Sequence, residues 1–155
     1  NYTSSLTILD CVLTDNEAVG GAGAVGGVAR GGGISTEGGP TLTTGGISTT
    51  VIDCRISKNL ALGGNGSVGN GGNGFGGGVF NDAHATLTLT DSRITRNEAD
   101  GGTGGSSGSD GQGIGGGAYL AAGGNVCFDA FTQAHLKRNH ASTSNDDVFG
   151  AFTIC

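Results

Sequence analysis

One phrase is written four times along the chain, and each copy closes on an asparagine: Asn16, Asn59, Asn97 and Asn139. The clearest copy reads Leu87-Thr88-Leu89-Thr90-Asp91-Ser92-Arg93-Ile94-Thr95-Arg96-Asn97-Glu98-Ala99. The first runs from Leu6 to Ala18 and the second from Thr49 to Ala61. A degenerate fourth ends Leu136-Lys137-Arg138-Asn139-His140-Ala141. Successive asparagines are 43, 38 and 42 residues apart, so the phrase is kept while the segment between copies varies. A repeat of this length constrains the fold more than local propensity does, because every copy needs an equivalent environment.

Alignment on the asparagine superposes Thr7, Thr50 and Thr88, then Ile8, Val51 and Leu89, then Asp10, Asp53 and Asp91. Leu13, Ile56, Ile94 and Leu136 fall together, as do Ala18, Ala61, Ala99 and Ala141. Within a copy, apolar and polar residues alternate with a period of two, a strand signal. Asp91 interrupts the first run and Asn97 ends the second. Both residue types bond their own backbone and tolerate turns, so each marks a corner. A third apolar run follows three glycines at Ile34, at Val79-Phe80 and at Ala118-Tyr119-Leu120.

Three short strands joined by corners describe one coil of an all-β parallel solenoid, each coil about 4.8 Å above the last. The expected domain is 1–155, with about four coils over residues 5–47, 48–85, 86–125 and 126–155. Leu87, Leu89, Ser92, Ile94 and Ala99 should face inward, and Asn16, Asn59, Asn97 and Asn139 should stack as an amide ladder. Hydrophobic residues make up 35% of the chain, with no Trp or Met. That is thin for a layered core and sufficient for rows of short aliphatic side chains.

The run Gly-Gly-Gly-Val79-Phe80-Asn81, followed by Leu87 to Ile94 and then Asn97, resembles the right-handed parallel β-helix repeats of large bacterial surface and secreted proteins. It is especially similar to planctomycete-like Gly-rich repeat arrays. The ending Asn145-Asp146-Asp147-Val148-Phe149-Gly150 is similar to the close of such arrays. The resemblance covers nearly the whole chain and implies a right-handed β-helix. It implies little about activity, since β-helices serve as lyases, adhesins and passive stalks.

Long glycine-rich inserts follow the asparagine corner at residues 20–33, 63–78 and 101–117. The second places Gly at 63, 66, 69, 72 and 78, and the third at 102, 105, 108, 111 and 117. A period of three suits a polyproline-II-like helix packed along its glycine edge; a disordered linker is the competing reading. The first insert keeps Gly21, Gly27 and Gly33, with Ala24 and Arg30 between them. No Gly-Lys-Ser/Thr follows any strand, so a phosphate loop is not expected.

The four cysteines form no CxxC pair, which speaks against zinc. An even number in a Gly-rich, charge-poor chain fits an oxidising, extracellular or cell-surface setting. Cys11 and Cys54 share one row, with Ser92 as its third member, at a spacing that a disulfide can bridge. Cys127 and Cys155 lie about one insert-free coil apart. The expected disulfides are therefore Cys127–Cys155 and Cys11–Cys54. Sequons at Asn1 and Asn65 permit glycosylation.

The net charge is −6, which argues against a nucleic-acid partner. No apolar run is long enough for a membrane span. The chain starts within a repeat at Asn1 and reads as an excised or processed piece. Six of its seven basic residues, Arg55, Lys58, Arg93, Arg96, Lys137 and Arg138, follow the Asp position in three consecutive copies. On a solenoid they form one stripe suited to an acidic polysaccharide or an acidic partner surface. Asp10, Asp53 and Asp91 are weak candidates for calcium, each being first a corner residue. His84, His135 and His140 sit at unmatched positions, and no nucleophile–base set emerges. No catalytic residue or cofactor is expected.

Together these features describe a non-catalytic structural or adhesive extracellular element. It either self-associates end to end into a surface fibre or joins neighbouring repeats of a longer chain. The alternative is a carbohydrate-binding or polysaccharide-lyase-like β-helix acting on acidic glycans, with Asp53, Asp91, Arg55 and Arg93 as its charged set.

Overall fold

A computed structural model describes residues 4–38 and 46–155. The chain is a β-solenoid of three complete coils and a partial fourth, slightly shorter than the four expected. The first coil holds β1 (Ser5–Leu9), β2 (Val12–Thr14), β3 (Glu17–Val19), β4 (Ala29–Arg30) and β5 (Ile34–Thr36). The second holds β6 (Ser48–Ile52), β7 (Arg55–Ser57), β8 (Leu60–Leu62), β9 (Gly74–Phe75) and β10 (Val79–Asn81). The third holds β11 (Thr86–Thr90), β12 (Arg93–Thr95), β13 (Glu98–Asp100), β14 (Gly113–Ile114) and β15 (Ala118–Leu120). The fourth has β16 (Asn125–Phe128), a short helix α1 (Ala130–His135), β17 (Leu136–Lys137), β18 (His140–Ala141) and β19 (Val148–Phe149). A last strand, β20 (Thr153–Ile154), pairs on β16.

Each complete coil therefore has five strands where the sequence pattern suggests three. The two extra ones are short: one follows the asparagine and one carries the return from the glycine insert. Equivalent strands pair in parallel and in the register that the asparagine alignment predicts, for example Ile8↔Val51 and Leu89↔Val51. Val51, Ile56, Leu87, Leu89, Ile94, Ala99 and Phe128 are wholly buried in the rows between the sheets.

The corners are made by residues with left-handed backbone. Asp10, Asp53 and Asp91 have φ of 51°, 51° and 49° and turn the chain between the first two sheets. At the second corner the left-handed residue is not the asparagine but the one before it: Asp15, Lys58, Arg96 and Arg138, φ 56–62°. Gly31, Gly76 and Gly115 make the third corner, and Asn145 with φ 61° replaces them in the fourth coil. Asn tolerates this region better than most residues do.

The asparagine is spared the turn because its side chain is needed inside. Asn16 Nδ2 donates to Asn59 Oδ1 at 2.8 Å, Asn59 Nδ2 to Asn97 Oδ1 at 2.9 Å, and Asn97 Nδ2 to Asn139 Oδ1 at 3.0 Å. Each of these acceptor oxygens also takes the backbone N–H of the asparagine one coil earlier. The amides of Asn59, Asn97 and Asn139 further donate to the carbonyls of Leu13, Ile56 and Ile94. Two donors and two acceptances satisfy each buried amide. Gly33, Gly78 and Gly117 lie against this ladder, where a Cβ would crowd the amides of Asn59, Asn97 and Asn139.

A second ladder runs through the cysteine row, and it corrects the expected Cys11–Cys54 disulfide. Cys11 N–H donates to Cys54 Sγ at 3.3 Å, Cys54 N–H to Ser92 Oγ at 3.1 Å, and Ser92 N–H to Thr132 Oγ1 at 3.1 Å. Each thiol or hydroxyl hydrogen returns to a carbonyl two residues back: Cys11 to Leu9, Cys54 to Ile52, Ser92 to Thr90. Both sulfurs act as rungs, as the Ser92 oxygen does, and both cysteines are free. Burial pushes the Cys54 thiol up, which keeps it protonated in that role. Cys127 and Cys155 are joined, with Cα atoms 5.6 Å apart, as expected.

The glycine inserts are ordered and stacked. Gly27 N–H donates to Gly21, Gly64 to Gly27, Gly72 to Gly64, Gly102 to Gly72 and Gly111 to Gly102. This unbroken chain of bonds weaves the outgoing and returning arms of all three inserts together. Backbones approach so closely that a Cβ on Gly72 or Gly111 would overlap a neighbouring carbonyl. In the first insert Gly20 and Gly26 take the tight positions, whereas Gly21 faces open space.

The fourth coil ends both side-chain ladders. Asp147 stands where the earlier coils have Gly33, Gly78 and Gly117, and its Oδ1 accepts from Asn139 N at 3.1 Å and Asn139 Nδ2 at 3.0 Å. A carboxylate thus supplies the oxygen that a following asparagine would. Thr132, on α1, ends the cysteine row in the same way. Asp129 caps α1 through Thr132 N–H at 2.8 Å and also accepts from Asp91 N–H at 3.0 Å. Burial opposes ionisation of Asp129, but the hydrogen bonds from Thr132 and Asp91 outweigh it and hold the carboxyl below the usual 3.8.

A depressed folded-state pKa contributes stability above the ordinary value that is lost as pH falls through the folded value. Acidification below about pH 3.8 should therefore release Asp91 and Thr132 amides to hydrogen exchange before the core. The Asp129→Asn variant should lose this acid step; an unchanged acid profile would show that Asp129 does not hold the cap.

Candidate functional site

The basic residues occupy the outer face of the sheet β2–β7–β12–β17 and the corner beside it. Alternation along β7 and β12 buries Ile56 and Ile94 and turns Arg55 and Arg93 to solvent. Register places Arg55 directly opposite Arg93, and His135 follows at the next coil. The left-handed corner presents Lys58, Arg96 and Arg138 as a second row, with Lys137 between the rows. All six expected cations are exposed and share this face. Arg55, Arg93, Arg96, Lys137 and Arg138 enclose a hollow of about 430 Å³ together with Thr95 and His135.

Among the described residues, the one ion pair within 4.0 Å joins His140 and Asp146, on the neighbouring face. No arginine or lysine has a carboxylate partner at that distance among the described residues. Asp10, Asp53 and Asp91 border an adjoining hollow with Arg55 and Arg93 but stay beyond that range. Arg93 lies over the ring of Phe131 at 4.8 Å, which fixes one guanidinium plane. Ser57, between Arg55 and Lys58, is fully buried, and its hydroxyl has no hydrogen-bond partner.

The weak calcium candidates do not converge: Asp10, Asp53 and Asp91 do not bring ligand atoms within 4.8 Å of one another. Glu98, Asp100 and His140 do, on the outer face of β13 and β18. The asparagine alignment superposes His140 on Glu98, as the strand register does, but the two residues differ in type and so show no recurrence. Desolvation, then the charge and hydrogen bond of Asp100, raise the Glu98 carboxyl, with His140 partly opposing.

A third feature that the alignment did not single out is an aromatic row. Phe80, Tyr119 and Phe149 occupy equivalent strand positions, with ring centroids 5.5 Å and 4.7 Å apart. The recurrence of Phe80 and Tyr119 just after the three glycines is the available signal. Asn65 is exposed in the insert lobe, and its side-chain oxygen accepts from Thr103 N–H at 2.8 Å. The Asn1 sequon lies outside the described residues. Among those residues no helix is long and apolar enough to cross a membrane. No protein-family model, curated protein or solved structure matches the chain.

Proposed function

We propose that the protein is a non-catalytic structural or adhesive solenoid element of the bacterial-surface repeat type, working outside the cell. One observation carries this reading: the two ends of the stack differ. The strands of the first coil are sheet edges, and so at the far end are β17, β18, β19 and β20; the difference lies in what surrounds them. That coil exposes Leu6, Leu9, Val12, Val19, Val25 and Val28, at 43–65% of their surface. Unpaired edges beside exposed apolar residues are a template for another chain. In the fourth coil, by contrast, Asp129 and Thr132 accept the Asp91 and Ser92 N–H groups of the third, and Asp146 and Asp147 accept from Ala141 and Asn139.

The occupant of the open end is a further coil of the same repeat, whose donors meet Asn16 Oδ1. Because Asp147 and Thr132 already take the ladder donors at the fourth coil, this joining is one-sided, which disfavours a fibre of copies stacked head to tail. The Cys127–Cys155 disulfide supports an oxidising location.

Placing a copy of residues 48–85 directly before Ser5 tests the joining, since Ser48 is in register with Ser5. The longer protein should melt at a higher temperature, and Asn16 should gain protection from hydrogen exchange. An appended coil that stays unprotected, or regular head-to-tail fibres of the unmodified protein in electron micrographs, would refute the one-sided reading.

A further inference from the structure

We propose that the face carrying Arg55, Lys58, Arg93, Arg96, Lys137 and Arg138 binds a linear polyanionic polysaccharide laid along the solenoid axis. The inference is independent of how the ends of the stack are joined.

The first argument is energetic. Like charges directly opposite on neighbouring strands destabilise a sheet, and Arg55 stands opposite Arg93. Arg96 donates its backbone N–H to Arg138, so two left-handed corner cations are also adjacent. The chain has 13 acidic residues and only 7 basic ones, so partners are not scarce. The fold nevertheless keeps every described carboxylate beyond 4.0 Å from these cations. Six unpaired cations gathered on one face of a protein with net charge −6 form a focused positive field.

The second argument is spacing. The two rows, Arg55–Arg93–His135 and Lys58–Arg96–Arg138, repeat once per coil, about every 4.8 Å. A ligand in step with them carries one anion per repeat at close to that distance. An extended acidic peptide presents alternate side chains every ~6.6 Å and drifts out of step within three coils. A glycan advances about one sugar ring per rung, and a ring carries one carboxylate or sulfate. Guanidinium groups pair either anion through two parallel N–H···O bonds.

A single nucleic-acid strand would need aromatic platforms for its bases in addition to cations. The aromatic ring that this face offers, Phe131, is already covered by Arg93. The hollow of about 430 Å³ beside the rows is wide enough for ring substituents, and Thr95 adds a hydroxyl to its wall.

Titration calorimetry at low salt, with heparin, polygalacturonate, neutral dextran, polyglutamate and single-stranded DNA as probes, tests the assignment. Heparin or polygalacturonate should bind, added salt should weaken the binding, and dextran should not bind. Binding of either acidic glycan supports the site, and the tighter of the two identifies sulfate or carboxylate as the anion. The Arg96→Asn/Arg138→Asn variant keeps residues that tolerate left-handed backbone and should lose roughly ten-fold or more in affinity. Arg30→Gln, away from the face, should bind as the parent does. Melting curves of each variant separate lost binding from unfolding. The proposal fails if neither acidic glycan binds, if the double variant stays folded and binds unchanged, or if polyglutamate or DNA binds as tightly as the glycans.

Discussion

Asn97→Ala is expected to cost the solenoid about 3–5 kcal/mol. Asn97 is 1% exposed, so water cannot replace what it supplies. Its Oδ1 accepts from both the backbone and the side chain of Asn59. Its Nδ2 serves Ile56 O and Asn139 Oδ1. Truncation orphans two buried donors at about 1–3 kcal/mol each and leaves a cavity besides.

Set against a typical total of about 5–15 kcal/mol, such a loss should be plain in urea denaturation. Asn97→Asp should be no milder, because it turns an acceptor towards Asn139 Oδ1 and buries a charge. Asn16→Ala, at the exposed end of the same ladder, should cost under about 1 kcal/mol. Equal costs at Asn97 and Asn16 would mean that the ladder carries little of the stability.

Gly72→Ala is the second large effect. A methyl group at Gly72 would fall on the carbonyl of Gly27, with the Gly26 backbone behind it. No flexible side chain stands in the way to yield, so the inserts themselves must part. Overpacking in cores costs about 1–3 kcal/mol where side chains can adjust, and the lobe has none at this point. The expected result is a drop in melting temperature together with lost amide protection at Gly64, Gly72 and Gly102, which share one bond chain. Gly21→Ala adds its methyl group to open space and should change stability by less than about 0.5 kcal/mol. If the two variants behave alike, the lobe is not packed as described.

The parts of the fold legible in the sequence are those in which one residue type recurs at one position for one reason. Leu13, Ile56, Ile94 and Leu136 recur because they fill one core row, so alignment placed them correctly. The asparagine row was legible for the same reason. Its corner role was not, because left-handed backbone at Lys58, Arg96 and Arg138 leaves no compositional mark. The Cys11–Cys54 error has a similar origin. Spacing along the stack is right for a disulfide, but spacing does not reveal that each sulfur accepts an N–H from the coil beside it. The basic face followed directly from the alignment, since its cations sit in aligned positions. Glu98, Asp100 and His140 meet only through pairing between unlike residues, which a search for sameness passes over.

The asparagine ladder also has a direction. In the amide-to-amide bonds each Nδ2 donates towards the fourth coil and each Oδ1 accepts from the side of the first, while the second Nδ2 hydrogen of Asn59, Asn97 and Asn139 returns to a carbonyl of the preceding coil. Donor-rich Asn139 is met by an anionic group, Asp147, much as a carboxylate caps a helix N-terminus. The two ends of the solenoid are therefore chemically distinct poles. Internal coils can be gained or lost as whole units, because each hands on the donors it receives. The fourth coil is not interchangeable with the three before it: among the described coils it alone exchanges a glycine for a charge.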